Sequence, residues 1–351
     1  MLEANGSLCV TSVRLEAMTS WLTRGHQVFN VLLAILTQVT SIYSVLLLKR
    51  KRLYFNTSRY VILIIIFLAS LSSANKGVSE ILNIFRSFAH SNDACQIQYH
   101  ASSCKIILWI HGSTFNCINF FVALLIIKQT MLTFLKKKYH MTFRMTFLSS
   151  ILTLFICIIW TYYLFNRETY KSYVPSCTQL PVDSMNLLLH GHSTINYLAW
   201  ISNFLTFGNL IQSFILLWWS LTTAKRNAEA FRLEEKYEAY EKIVIAKAMC
   251  LLSANMVFFV SSSKLIFYIF NINNRGSHGS WYFILAEFVE PFMYSNFMPS
   301  LVVIYTVKYV VNGRARNVMR AIHASTETGP TMKRLQHEWD VVWEKTHHHR
   351  S

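Results

Sequence analysis

Charged residues are scarce in this chain, and their scarcity argues against an ordinary soluble domain. Only 14% of the 351 residues are charged, whereas 53% are hydrophobic. A soluble domain carries about 25% charged residues. Proline and glycine are also few, 5 and 10 in all, and no stretch rich in either separates two domains. We therefore expect one all-α membrane domain with tails.

Catalytic and metal-binding patterns are lacking as well. No nucleophile stands beside a base, no glycine-rich phosphate loop occurs, and the two histidines of His190-Gly-His192 would point apart on a helix. We expect no enzyme activity, cofactor or metal. The formal charge of +16 could indicate nucleic acid, but the basic residues cluster between long apolar runs rather than on one soluble face, so no nucleic-acid partner is expected.

Seven long apolar runs are present, and each approaches the roughly 20 residues that a bilayer-spanning helix needs. They predict a seven-helix membrane bundle over 27–307. The first 25 residues do not resemble a cleavable signal peptide, so the first run would act as the insertion signal. The runs cover 27–48, 60–85, 105–127, 146–165, 194–222, 243–270 and 281–307.

Lysine and arginine predict the orientation of the bundle. They concentrate in the loops after the first, third and fifth runs and in the tail, which places those segments in the cytoplasm. Residues 1–26 are then an extracellular N-terminus, and 308–351 a cytoplasmic tail with a possible amphipathic helix on the inner leaflet. Asn5 begins an Asn-Gly-Ser sequon on the outer side and is a candidate glycosylation site.

Four of the seven cysteines fall on the predicted outer, oxidising side, which favours disulfides there. We favour a Cys104–Cys177 bond, which would tie the top of the third span to the loop after the fourth and hold a lid over the bundle. Cys95–Cys177 is the alternative. Either disulfide could also serve only to stabilise the fold. The remaining outer cysteine is Cys9, and those within spans are Cys117, Cys157 and Cys250.

Ionisable residues lie inside three of the spans, where a charge is costly and usually faces the bundle interior. At 1.5 Å per residue they all reach the outer third of the bilayer, about 25–31 Å from the inner side. They predict an outward-facing ligand pocket; the alternative is snorkelling or a structural ion pair such as Lys264–Glu290. The charged candidates are Lys76, Glu80, Lys264, Glu287 and Glu290, and the polar ones are His111, Asn116, Asn119, Asn196 and Asn203.

The stretch 230–252 changes from a Glu-, Lys- and Tyr-rich half to an apolar half, with no Pro or Gly between them. Its spacing favours i,i+3 and i,i+4 ion pairs on a solvated helix. We interpret 223–242 as a cytoplasmic extension of the fifth and sixth spans. One continuous helix would then connect the predicted ligand pocket to the cytoplasm. A connecting helix that is only solvated, without a signalling role, fits the same pattern.

The segment "LEEKYEAYEKIVIAKAM" resembles the start of the sixth span in the nematode serpentine chemoreceptors of the Sra, Srb, Srab and Sre group. There a Tyr-Gln-x-x-Glu-Asn pattern precedes an apolar helix; here the matching residues are 237–242, with Glu238 and Lys242 in place of Gln and Asn. The seven spans, short outer N-terminus and basic tail also resemble that group. The resemblance implies a G-protein-coupled receptor of chemosensory neurons.

It further implies an extracellular small-molecule or peptide ligand, a heterotrimeric G protein as partner, and a multi-pass plasma-membrane location in sensory cilia. The alternatives are a membrane transporter or a ligand-gated chemosensory channel. The insect-type channels place their N-terminus inside, so glycosylation at Asn5 would separate these from a receptor. The candidate G-protein contacts are Lys136, Lys137, Lys138, Tyr237, Glu238, Glu241 and Lys242.

Overall fold

We describe the protein from a computed structural model. It describes residues 10–51, 56–134, 143–165, 173–174, 194–226, 242–259 and 293–308, together with 262, 284 and 288. The chain divides into two units, Met1–Ile304 and Tyr305–Ser351. The first contains the helices and strands discussed below, up to residue 304.

Helices account for nearly all of the described structure. A short helix, α1 (Ser12–Thr19), precedes the long helices α2 (Trp21–Lys51) and α3 (Asn56–Ala89). Strand β1 (Tyr99–His100) and a 3₁₀ turn (Ala101–Cys104) lead into α4 (Lys105–Phe134), and α5 (Phe143–Phe165) follows. After strand β2 (Tyr173–Val174) come α6 (Thr194–Arg226), α7 (Lys242–Phe259) and the helical residues 293–308, here called α8.

The membrane bundle predicted from the sequence is confirmed in outline. Within the described residues, six helices are long and apolar enough to cross a bilayer. Each overlaps one of the first six predicted runs, and the seventh run is helical where it is described, at 293–307. The spans are Trp21–Lys49, Ser58–Ala89, Ser102–Met131, Arg144–Tyr162, Phe204–Thr223 and Lys242–Phe259.

Helix α2 shows how these helices are oriented towards lipid and towards each other. Its apolar residues at 32, 35, 39, 42 and 46 recur every three or four positions, and each is more than half exposed. Its polar residues at 30, 37, 41 and 44 occupy another face and are buried. This is the reverse of a soluble amphipathic helix. It is the arrangement expected where lipid surrounds the bundle and polar groups must satisfy one another inside.

Hydroxyl side chains are accommodated within single helices. The Thr37 hydroxyl donates to the Leu33 carbonyl at 2.7 Å, and the Thr114 hydroxyl donates to the Ile110 carbonyl at 2.8 Å. Each bond satisfies a hydroxyl without requiring a neighbouring helix or water. Many Ser and Thr residues can therefore lie in spans without marking a binding site, and the cross-helix polar contacts are the informative ones.

Close packing joins α2 to α3 at a glycine. A Cβ atom added to Gly77 would lie 2.8 Å from Cβ of Ala34, closer than real Cβ atoms approach. The adjacent core contains Leu33, Ala34 and Met293, with Phe297 packed against it. Gly77 thus allows α2 and α3 to meet along a tight seam, and α8 packs beside this seam.

One end of the bundle carries a cap, which we define as residues 10–20 and 90–104 together with β2. The Thr11 hydroxyl caps α1 by accepting from the Arg14 amide at 3.4 Å. The Val10 amide donates to the Ala94 carbonyl at 2.8 Å, which ties the start of the described chain to the segment after α3. Strand β1 pairs with β2 in antiparallel register, with Tyr99 opposite Val174. The helix within residues 1–26 was not anticipated from the sequence.

Candidate ligand-binding site

A buried ion pair lies in α3, in the half of the helix nearest the cap. Lys76 Nζ is 2.8 Å from Glu80 Oε1, and both side chains are completely buried. The residues are one turn apart, so the backbone of a single helix sets their separation. Isolated charges here would be strongly disfavoured, and pairing offsets much of that cost. Hydrogen bonds from neighbouring side chains are needed to offset the rest of the cost of burying the two charges.

Two amides complete the shell of the Glu80 carboxylate. The Asn30 amide of α2 donates to Oε1 at 3.3 Å, and the Asn83 amide donates to Oε2 at 3.1 Å. The Asn30 nitrogen also lies 3.1 Å from His26 Nε2, and the His26 ring stacks on Phe288 with centroids 4.0 Å apart. The carboxylate thus connects α2, α3 and a residue of the seventh span.

A second set of polar contacts lies one turn further from the cap. Ser72 Oγ accepts from the Asn296 amide at 2.9 Å and lies 3.4 Å from His111 Nδ1. These contacts join α3, α4 and α8 through side chains that are all at most 4% exposed. Nearby, the Asn75 amide donates to the Ile107 carbonyl at 3.0 Å. We call the residues His26, Asn30, Ser72, Lys76, Glu80, Asn83, His111 and Asn296 the polar layer.

The structure brings three of the predicted ligand-site residues into this layer. Lys76, Glu80 and His111 share it, and Lys76 pairs with Glu80 of its own helix. Asn116 is buried, and the carbonyl of Asn119 accepts from Asn209 of α6 at 3.1 Å. Asn196 and Asn203 lie in α6, and their side chains are outside the described set, as are Lys264, Glu287 and Glu290.

Five members of the layer were not predicted from the sequence as site residues: His26, Asn30, Ser72, Asn83 and Asn296. A signal was present, because Ser72, Lys76 and Glu80 follow at i,i+4 spacing, and His26 and Asn30 do the same on α2. Such spacing places side chains on one helix face. Uncharged polar residues in a span are weak evidence for a binding site, since their hydroxyls and amides can form hydrogen bonds within their own helix.

Disulfides and a cation–π contact rigidify the cap above the layer. Cys95 and Cys104 are both disulfide-bonded, and Cys104 is fully buried beside Tyr99 and Leu108. The Arg86 guanidinium lies 3.8 Å from the Tyr99 ring centroid and donates to the Gln98 carbonyl at 2.5 Å. Cys177 and the sequon at Asn5 lie outside the described residues, so the Cys104–Cys177 pairing and the glycosylation stay predictions.

The opposite end of the bundle holds a buried lysine. Lys128 Nζ of α4 donates to the Ser58 hydroxyl of α3 at 2.9 Å, and Lys128 is only 3% exposed. Lys242 is the first residue of α7 and is half-buried. The other candidate G-protein contacts, Lys136, Lys137, Lys138, Tyr237, Glu238 and Glu241, lie outside the described residues.

Comparison with known proteins adds an independent line of evidence. A family model described as "Serpentine type 7TM GPCR chemoreceptor Sra" matches residues 4–339. Serpentine receptor class alpha-29 of Caenorhabditis elegans is 19% identical over 96% of this chain and 95% of its own length. Class alpha-31 is 21% identical over 91% and 92%, and class alpha-11 is 20% identical over 98% and 100%, both from the same nematode.

These matches run almost from end to end, so they cover the polar layer, the cap and every helix described. They confirm the resemblance noted for residues 233–249 and select the Sra branch of that group. The chain belongs to the Sra family of serpentine, seven-transmembrane GPCR-type chemoreceptors.

Proposed function

We propose that this receptor binds an extracellular cue in the half of the bundle beneath the cap and passes the signal to a heterotrimeric G protein. The observation that carries the proposal is the polar layer, in which a fully buried ion pair and its amide and imidazole partners join α2, α3, α4 and α8. Intramembrane charges of this kind are most often functional. The two disulfide-bonded cysteines at the capped end favour an extracellular position for that end.

A chain of side-chain contacts offers a route from the layer to the opposite face. Asn296 of α8 bonds Ser72, and its neighbour Ser295 accepts at its carbonyl from the Asn255 amide of α7 at 3.1 Å. Helix α7 begins at Lys242, next to the segment 223–241 that we place in the cytoplasm. A cue that favours one packing of α3 against α8 would shift α7 with it.

The inner surface would then present the loop after α4, the segment 223–247 and the start of the tail to the G protein. The proposed ligand site keeps its eight predicted members: Lys76, Glu80, His111, Asn116, Asn203, Lys264, Glu287 and Glu290. The N-terminus would be extracellular, and the receptor would reside in the plasma membrane of sensory cilia. The cue itself would be a small molecule or a peptide.

A ligand screen in cells that report G-protein activation tests this proposal with the full-length chain. We expect at least one cue to activate wild type, and the Asn296→Leu variant to give a smaller maximal response at equal surface expression. Thr222→Val is the matched control, because the Thr222 hydroxyl bonds its own helix at Trp218. Cue-evoked membrane current without G-protein activation would refute the receptor and favour a channel.

A second experiment tests whether Lys264 and Glu290, in the sixth and seventh spans, belong to the ligand site. Lys264→Glu and Glu290→Lys are made singly and together, and each is tested against the activating cue. If the two side chains are partners across helices, the double exchange restores the response that either single change abolishes. Failure of the double exchange at normal surface expression would remove that pair from the site.

A further inference from the structure

A small cavity lies where the cap meets the outer ends of α2 and α3, directly beside the polar layer. Its volume is about 20 Å³, and it is partly open. Residues from four elements line it, among them Met18 of α1, Gln27 of α2, Arg86 of α3 and Tyr99 of β1. None of these was predicted to contact a ligand.

Two residues of its lining each carry a buried side-chain oxygen that has no hydrogen-bond partner among the described residues. These oxygens are Gln27 Oε1 and the Tyr99 hydroxyl, and their side chains belong to residues only 5% and 7% exposed. Buried polar atoms in proteins are almost always hydrogen-bonded, to protein, to water or to a ligand. Two such atoms in residues that line one cavity indicate that the space holds a polar group.

We propose that this cavity is a subsite for the hydroxyl group of a small alcohol. The amide oxygen of Gln27 accepts only, so the bound group must donate a hydrogen bond; the Tyr99 hydroxyl can donate one in return. An alcohol hydroxyl does both at once. A carboxylate has no proton for Gln27, and an ammonium group would meet the Arg86 guanidinium, which lies 3.8 Å from the Tyr99 ring centroid.

Size and protonation agree with this assignment. A cavity needs about 10–15 Å³ to hold one water-sized group, so a volume of about 20 Å³ fits a hydroxyl with the beginning of its carbon chain. The remainder of the molecule would extend through the open side. Burial raises the pKa of Tyr99 above its ordinary value, although the nearby Arg86 opposes that effect. The phenol therefore keeps the proton that it donates at neutral pH.

The subsite is physically connected to the polar layer. Asn83 lines the cavity, and its amide donates to Glu80 Oε2 at 3.1 Å. An alcohol that shifts Asn83 would change the hydrogen bonds around the buried ion pair. That the alcohol acts as a sensory cue rests on the proposed function, whereas its binding does not.

Binding is tested with the full-length receptor in nanodiscs by saturation-transfer NMR. The probes are 1-butanol and its isomer diethyl ether, which accepts hydrogen bonds but cannot donate them. Tyr99→Phe removes the hydroxyl and keeps the ring beneath Arg86. Tyr43→Phe is the matched control, because Tyr43 is 46% exposed on α2. Gln27→Leu is a second variant that removes the other polar atom.

We expect 1-butanol to bind wild type and Tyr43→Phe equally, and Tyr99→Phe and Gln27→Leu about three- to tenfold more weakly, the loss of one hydrogen bond. Diethyl ether should bind wild type as weakly as 1-butanol binds Gln27→Leu. Equal 1-butanol signals in wild type and both folded variants, or equal signals for the two probes, would show that the cavity holds only water. Butanol binding without G-protein activation would leave the subsite intact and count against the sensory role.

Discussion

Neutralising one member of the buried ion pair should destabilise the receptor far more than neutralising both. In Glu80→Gln the Lys76 ammonium loses the carboxylate that lies 2.8 Å away, and the amides of Asn30 and Asn83 lose a charged acceptor at 3.3 and 3.1 Å. In Lys76→Met the Glu80 carboxylate loses its cation. The double variant Lys76→Met/Glu80→Gln buries no charge at either position.

The magnitude follows from the complete burial of both side chains. Removing one partner of a buried pair costs about 3–5 kcal/mol, whereas replacing both with neutral groups of similar size is often close to neutral. Each kcal/mol lowers the melting temperature of a domain of 150–250 residues by about 2–4 °C. Taking the smaller slope for this longer chain, we expect each single variant to melt roughly 6–10 °C below wild type.

Thermal unfolding of purified receptor in nanodiscs measures these differences, with Glu16→Gln as the control because Glu16 is exposed on α1. The double variant should melt within a few degrees of wild type and well above either single variant. If the two single losses simply add in the double variant, Lys76 and Glu80 are not energetically coupled and the polar layer is not organised by their pairing.

Three further predictions concern packing and topology. Gly77→Ala should lower the free energy of unfolding by about 1–3 kcal/mol, because the added Cβ overpacks the α2–α3 seam. Gly208→Ala should raise it by up to about 1 kcal/mol through helix propensity, because a Cβ there meets nothing within 4 Å. Thermal unfolding of the two variants measures the difference. Non-reducing peptide mapping should recover Cys104 joined to Cys177, and Cys104→Ser should cost about 2–5 kcal/mol. Asn5→Gln should increase electrophoretic mobility of receptor from eukaryotic cells, because it removes an N-linked glycan.

Each of these has a contrary result. Equal stability of the two alanine variants would mean that α2 and α3 do not meet tightly at position 77. A peptide joining Cys95 to Cys177 would select the alternative disulfide. Unchanged mobility in Asn5→Gln, combined with cytoplasmic labelling of the N-terminal segment, would place the N-terminus inside and contradict the receptor topology.

Hydrophobic runs in the sequence located the membrane helices, but α2 and α3 extend beyond the ends of their runs. Helix α2 begins at Trp21 rather than near residue 27, and α3 continues to Ala89 rather than 85. Both extensions contain polar residues that bond the cap or each other, such as Arg24, whose guanidinium donates to the Ser87 carbonyl at 2.5 Å. A hydropathy pattern ends where polar residues begin, but a helix continues as long as its polar groups find partners.

The sequence by itself determined that this protein spans a membrane, because long apolar runs with few charges have no stable alternative in water. It also identified Lys76, Glu80 and His111 as unusual, since charge and imidazole inside a span are costly. Only the tertiary structure decided which groups pair with them. A side chain's partner depends on how neighbouring helices rotate and approach, and that depends on packing at positions such as Gly77 and Ala34, which no local pattern reveals.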